Sequence, residues 1–220
     1  GTIGASFKGA IDKGIDKELA ATFVVTGNAG TPLSAAVGPA LEKAPDAQTV
    51  VALDVTFVKH DGDDMVAGTP VGGPLTDVIN VTMKEGELVV PPNGMLVSEA
   101  VQRDKGWDPG TQVTLTSTTG EEVTVTVSGV YEDSAALGAW VIGNEAFDKL
   151  VPSENMRMTA AALVTGKPGV SDQQLREQLE QAVEPFLTAQ VQDRQQYKNS
   201  FSTLIDQMLV TLYALLGLAL

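Results

Sequence analysis

Apolar residues recur every four positions at the start of the chain, at Phe7, Ile11, Ile15 and Leu19, with Lys8, Asp12, Lys13, Asp16, Lys17 and Glu18 between them. That spacing predicts a one-faced amphipathic helix over 6–20. Residues 21–26, rich in Val and Thr, predict a strand closed by Gly27-Asn28-Ala29-Gly30. Pro32 and the run 33–43 predict a short helix that stops before Pro45. Residues 49–59 are β-branched and long enough for a full strand, and Asp61-Gly62 is a hairpin signal. The densest cluster of breakers, 68–74, marks a subdomain boundary. Beyond it, 78–90, 94–97, 112–118 and 122–130 predict strands, with a short helix over 98–104. Val113, Leu115, Val123, Val125 and Val127 alternate inward, and Thr119-Gly120 turns between their strands.

After Trp140-Val141-Ile142 and a short helix over 145–150, the first pattern returns. Residues 159–165 predict a strand, 166–169 a loop, and Ser171 with Gln174 a capping box opening a helix through Phe186. A strand over 187–192 follows, and a last helix starts at 195. The expected fold class is α+β, with β-α-β at 21–59 and 159–192 combining into a ferredoxin-like lobe. The expected organisation is a stalk helix at 1–20, an α/β lobe from 21–69 and 136–194, an inserted β-rich lobe at 70–135, and a C-terminal helix at 195–220. No sheet is expected to run through both lobes.

The last fourteen residues, 207–220, carry no charge. At about 1.5 Å of rise each they reach roughly 21 Å, short of the ~30 Å hydrocarbon core. They are too apolar all round for a surface helix. Two readings stand: a buried core helix, or the first turns of a membrane span. The run lacks a stop signal and the chain opens on Gly1, so an excised piece is expected. On the span reading Met208, Leu209, Leu212, Tyr213, Leu215, Leu216 and Leu220 form the membrane segment.

Composition narrows the function. Acidic residues outnumber basic ones 28 to 14, which argues against nucleic acid and against adhesion to an anionic leaflet. An acidic domain beside a span leans towards the non-cytoplasmic side. Without cysteine there are no disulfides and no thiolate chemistry. No phosphate-binding loop is present: 166–168 and 68–73 lack its Gly-Lys-Ser/Thr ending. His60 beside Asp61, Asp63 and Asp64 reads as a solvated hairpin tip, since the calcium-loop register is missing. Ser98 lacks the flanking glycines of a nucleophile elbow and reads as a helix cap. Glu121 and Glu122 are strand neighbours that point to opposite faces. Asn80-Val81-Thr82 fits a glycosylation pattern within an expected strand. Trp107 and Trp140 read as core, with partner anchors as the alternative. No catalytic residue, metal or cofactor is expected.

The order Val89-Val-Pro-Pro-Asn-Gly-Met-Leu-Val-Ser98, then Gly106-Trp-Asp-Pro-Gly-Thr-Gln-Val-Thr-Leu115, then Val125-Thr-Val-Ser-Gly-Val-Tyr-Glu132 resembles the extracytoplasmic domain of MacB/FtsX-like ABC transporter permeases. In the turn at Trp107–Thr111 the family's usual aspartate is Thr111. Residues 199–220 are similar to the family's entry into its second span. The resemblance implies a bacterial cell-membrane protein of four spans, with this domain extracellular or periplasmic. It also implies a second permease copy forming a dimer, a separate cytoplasmic ABC ATPase subunit, and an exported substrate or an extracytoplasmic partner protein. Relatives extrude macrolides or peptides, extract lipoproteins or activate cell-wall hydrolases. The rival readings are an anchored binding or adhesion domain and a soluble enzyme with a buried C-terminal helix.

Overall fold

A computed structural model describes residues 2–218. Its helices are α1 Thr2–Glu18, α2 Val37–Glu42, α3 Glu99–Lys105, α4 Asn144–Leu150, α5 Asp172–Ala182 and α6 Arg194–Leu218. Its strands are β1 Phe23–Gly27, β2 Leu33–Ser34, β3 Ala47–His60, β4 Asp63–Gly72, β5 Met83–Glu85 and β6 Gly94–Ser98, followed by β7 Gln112–Ser117, β8 Glu122–Tyr131, β9 Trp140–Ile142, β10 Met158–Gly166 and β11 Ala189–Asp193.

The two β-α-β repeats interleave. Strands lie in the order β11-β1-β10-β3, all antiparallel to their neighbours, which is the ferredoxin-like arrangement. Side chains alternate across it. Phe23, Val25, Ala52 and Val164 pack under α2 and α5 against Leu41, Leu175 and Leu179. Val24, Val51 and Leu163 face the other way and form a second core with Leu19, Ile79 and Tyr131. The Asp61-Gly62 turn joins β3 to β4 with both residues at positive φ, 48° and 83°, as a two-residue hairpin requires.

Four stretches depart from the sequence reading. Residues 33–43 do not begin as helix, because Leu33 and Ser34 pair with Thr159 and Met158 of β10. Helix α2 starts at Val37, with Pro39 in its first turn where a missing N–H is harmless. The breaker cluster at 68–74 is no boundary: β4 runs through it, registered on β3 from His60↔Asp63 to Val51↔Gly72. Pro70 is tolerated because β4 pairs only with β3 among the described strands. Residues 78–90 hold only the three-residue β5. Upstream of it, the backbone of Val78 and Asn80 bonds the end of α1 instead of a sheet neighbour. Helix α5 also stops short of Phe186, in a turn closed by Phe186 N–H donating to the Val183 carbonyl at 2.8 Å.

One hydrogen-bonded sheet runs through both halves, contrary to expectation. β3 is fourteen residues long, and where β10 leaves its edge β7 takes over, at Val58↔Ser117 and Lys59↔Thr116. The sheet continues β7-β8-β6-β9. Here Val113, Leu115, Val123, Val125 and Val127 point inward with Trp107, Trp140, Phe147 and Leu150. Strand β9 and helix α4 therefore share the core of the β-rich strands. A buried carboxylate pins α4 to the sheet. Asp54 of β3 accepts from Arg157 Nε at 2.8 Å and from Thr159 Oγ1 at 2.7 Å, while Arg157 Nη1 donates to Asp148 of α4 at 2.6 Å.

Candidate functional site

α1 and α6 leave the sheet side by side and antiparallel. Asp16 meets Lys198 at 2.5 Å and Arg194 at 3.7 Å near the sheet, and Lys8 pairs with Asp206 further out. Furthest out is Gly4, where a Cβ would lie 2.6 Å from Leu209 Cδ1, so the absent side chain lets the helices touch. The hydrogen bond from Lys198 and the nearby Arg194 hold the Asp16 carboxyl below its ordinary range. Phe7 does not join this contact; it is 55% exposed, although it shares the four-residue spacing of the half-buried Ile11 and Ile15.

The legs are rooted on paired strands, α1 running into β1 and α6 out of β11, and each has further ties of its own. At the base of α1, Ala20 and Ala21 N–H donate to the Val78 carbonyl, and Asn80 N–H donates to the Glu18 carbonyl. Glu18 Oε2 accepts from Ser134 Oγ and from Ala136 N–H, each at 3.1 Å. α6 begins at a reciprocal box: Gln196 N–H donates to Asp193 Oδ1 at 2.8 Å, and Asp193 N–H donates to Gln196 Oε1 at 2.9 Å. Arg176 of α5 clamps that box through Asp193 at 3.1 Å and Gln196 at 2.8 Å. Sequence reasoning missed the box, although Asp193-Arg-Gln-Gln196 spells it.

Between the legs and the sheet lies a cleft of about 880 Å³. Leu53, Ala161 and Leu163 form its floor, while Ile11, Gly14 and Ile15 of α1 and Tyr197, Phe201 and Leu204 of α6 form its sides. Burial pushes the Tyr197 phenol upward, and its ring meets Phe201 edge to face at 4.9 Å.

Past the cleft α6 changes character. An 18-residue window of α6, which takes in its cleft-lining turns from Phe201 on, is apolar enough to cross a membrane, and only 6% of it is buried. Met208, Leu212, Tyr213, Leu215 and Leu216 are between 51% and 68% exposed. Leu209 is half-buried against α1, and Leu220 lies outside the described residues. The buried-core reading of this run does not hold for its described residues, because Ile205 is the one buried side chain of α6 among them.

The other residues weighed for chemistry are dispersed. Ser98 caps α3, its Oγ accepting from Val101 N–H at 3.2 Å. His60 sits 5.1 Å from the Trp107 ring with its Nδ1 3.1 Å from the Thr114 carbonyl. Trp107 and Trp140 are buried in the distal core. Among the described residues no three His, Cys, Asp or Glu side chains converge as metal ligands.

Comparison with known proteins agrees with this geometry. The periplasmic region of MacB from Actinobacillus actinomycetemcomitans superposes with a TM-score of 0.56 at 13% identity, over 85% of this chain and 95% of that one. The extracellular domain of the noncanonic ABC-type transporter YknZ from Gram-positive bacteria gives 0.50 at 12% identity, over 78% and 99%. At such identities the likeness is one of fold. No curated protein matches the sequence. The model of the MacB-like periplasmic core domain matches residues 1–182. The chain therefore belongs to the MacB-like periplasmic core domains, the extracytoplasmic parts of ABC-type transporter permeases.

Proposed function

We propose that this domain couples ATP hydrolysis in a separate cytoplasmic ABC ATPase subunit to export of a substrate, or to action on a partner outside the membrane. Two permease copies work as a dimer, and this chain carries no catalytic residues of its own. The observation that supports the reading is the antiparallel pair of legs. α1 is tied to the 78–80 and 134–136 segments, α6 is tied to β11 and α5, and the outer part of α6 has a membrane-compatible surface. Closure of the ATPase subunits would displace the spans, and the legs would carry that displacement to the sheet.

These 220 residues hold no cysteine, so an engineered pair has no native thiol to compete with inside the domain. Gly4→Cys with Leu209→Cys joins the legs where they touch. In the full permease with its ATPase, oxidation should abolish substrate-stimulated hydrolysis and reductant should restore it. Undiminished stimulation with the pair fully oxidised would refute leg-driven coupling.

A further inference from the structure

We propose that the cleft between the legs and the sheet binds one linear acyl chain with an uncharged, hydrogen-bonding headgroup. Its volume of about 880 Å³ lies within the ~300–1,000 Å³ range of small-molecule sites. Three separate elements enclose it, so it is a slot and not a bare helix face.

The lining selects the ligand. Gly14, Ala136, Ala160 and Ala161 give smooth, small-residue walls over the apolar floor of Leu53 and Leu163. Such walls suit a flexible hydrocarbon better than a flat ring. The two aromatic side chains in the lining, Tyr197 and Phe201, meet edge to face at 81°, so they do not form a parallel pair that could sandwich a ring. The rim supplies neutral donors and acceptors, among them Gln192, Ser200 and Gln207. Among the described residues no lysine or arginine lines the cleft, and the one carboxylate there, Glu18, is occupied by Ser134 and Ala136. An anionic head would meet no cation there, on a chain of net charge −14.

The cleft is also well placed to receive such a chain. Leu204 and Gln207 border it, and the next residues of α6 begin the exposed apolar stretch from Met208. Leu204 at the mouth of the slot is one helical turn from Met208, the first residue of that exposed stretch. The proposal rests on this membrane-proximal placement and not on ATP-driven coupling, so either can fail without the other.

The test is photolabelling of the full permease in phosphatidylcholine nanodiscs, using a twelve-carbon monoacylglycerol with a diazirine at the chain end. Peptide mapping should place label on 10–19, 160–163 and 197–204. Unlabelled monoacylglycerols, compared at equal mole fraction in the bilayer, should compete up to the chain length that fills the slot and fall away beyond it. The fatty acid of equal length should compete at least tenfold more weakly at neutral pH. Ala161→Phe should cut cleft labelling about tenfold while leaving labelling of 208–218 unchanged. Gly14→Leu should do the same and is the safer variant for folding, since a Cβ there meets nothing within 4 Å and leucine favours helix. Label confined to 208–218, label insensitive to both variants, or competition independent of chain length would overturn the site. Equal competition by the fatty acid would overturn the headgroup assignment.

Discussion

Removing residues 210–220 should leave the folded domain almost as stable as before, whereas a single methyl-rich side chain one turn earlier should matter. Every described residue from Val210 to Leu218 is exposed, so the deletion removes no buried apolar group among them. Surface changes of this kind stay within about 0.5 kcal/mol. Ile205 is 7% exposed, and Ile→Ala at a buried position costs about 2–5 kcal/mol. Its site borders two helices and not the central core, so the low end, about 2 kcal/mol, is expected. For a chain of this size each kcal/mol moves the Tm by roughly 2–4 °C. The deletion should therefore shift the Tm by less than about 2 °C, and Ile205→Ala should lower it by about 4–8 °C. Near-UV circular dichroism reads the melt through Trp107 and Trp140, both buried in the distal core. Sedimentation of the deleted chain should show less self-association, because the exposed apolar surface has gone. A fall of more than about 5 °C on deletion, or no fall for Ile205→Ala, would refute this division of α6.

Two further outcomes follow from the ion pairs. Asp54→Ala strands Arg157 Nε and the buried Thr159 hydroxyl and should cost about 3 kcal/mol by urea titration, whereas Asp148→Ala, whose carboxylate is 62% exposed, should cost about 0–1 kcal/mol. Asp16 has its pKa lowered by Lys198 on folding, so its contribution is present above the ordinary carboxylate range near pH 4 and is lost as pH falls through the lowered value. Hydrogen exchange at the base of α1 and α6 should thus rise in acid, and Asp16→Asn should remove that pH dependence.

The sequence announces what is periodic or locally bonded. The alternation of β7 and β8, the Ser98 and Ser171 caps and the Asp61-Gly62 turn each depend on residues within a few positions of one another, and the structure holds them as anticipated. β4 was hidden because Gly68, Pro70, Gly72 and Gly73 imitate a linker. Its glycines answer a neighbour: a Cβ on Gly72 would stand 2.2 Å from the Val50 carbonyl oxygen, across the β3–β4 ladder. No local signal reports such a contact. The cleft was equally illegible, because its walls are alanines and glycines drawn from distant segments, each unremarkable in its own run. The apolar C-terminal run was visible at once, yet only the packing separates Leu209, which touches α1, from the exposed Leu212 and Leu216.

The continuous sheet alters how leg motion would act on the domain. α1 runs into β1 and also grips the segments before β5 and β9, while α6 runs out of β11, the neighbour of β1, and is held by α5, so both legs leave one edge of the sheet and α1 alone also reaches towards its far half. Between that edge and the far ties of α1 the ladder is uneven. β3 and β10 are registered from Met158↔Val55 to Gly166↔Ala47, whereas β3 and β7 share only Val58↔Ser117 and Lys59↔Thr116. Backbone hydrogen bonds resist shear in proportion to their number, so a sliding leg would find its least resistance at that short junction. The β3–β4 hairpin spans the same place, with Val58 and Ala67 both buried in the distal core, and would limit the movement to a twist. In the proposed coupling, the two halves turn about β3 as the legs slide, and the cleft under Leu53 and Leu163, bounded by both legs, changes width with them. The oxidised Gly4/Leu209 pair would therefore arrest the turn and fix the cleft in a single act.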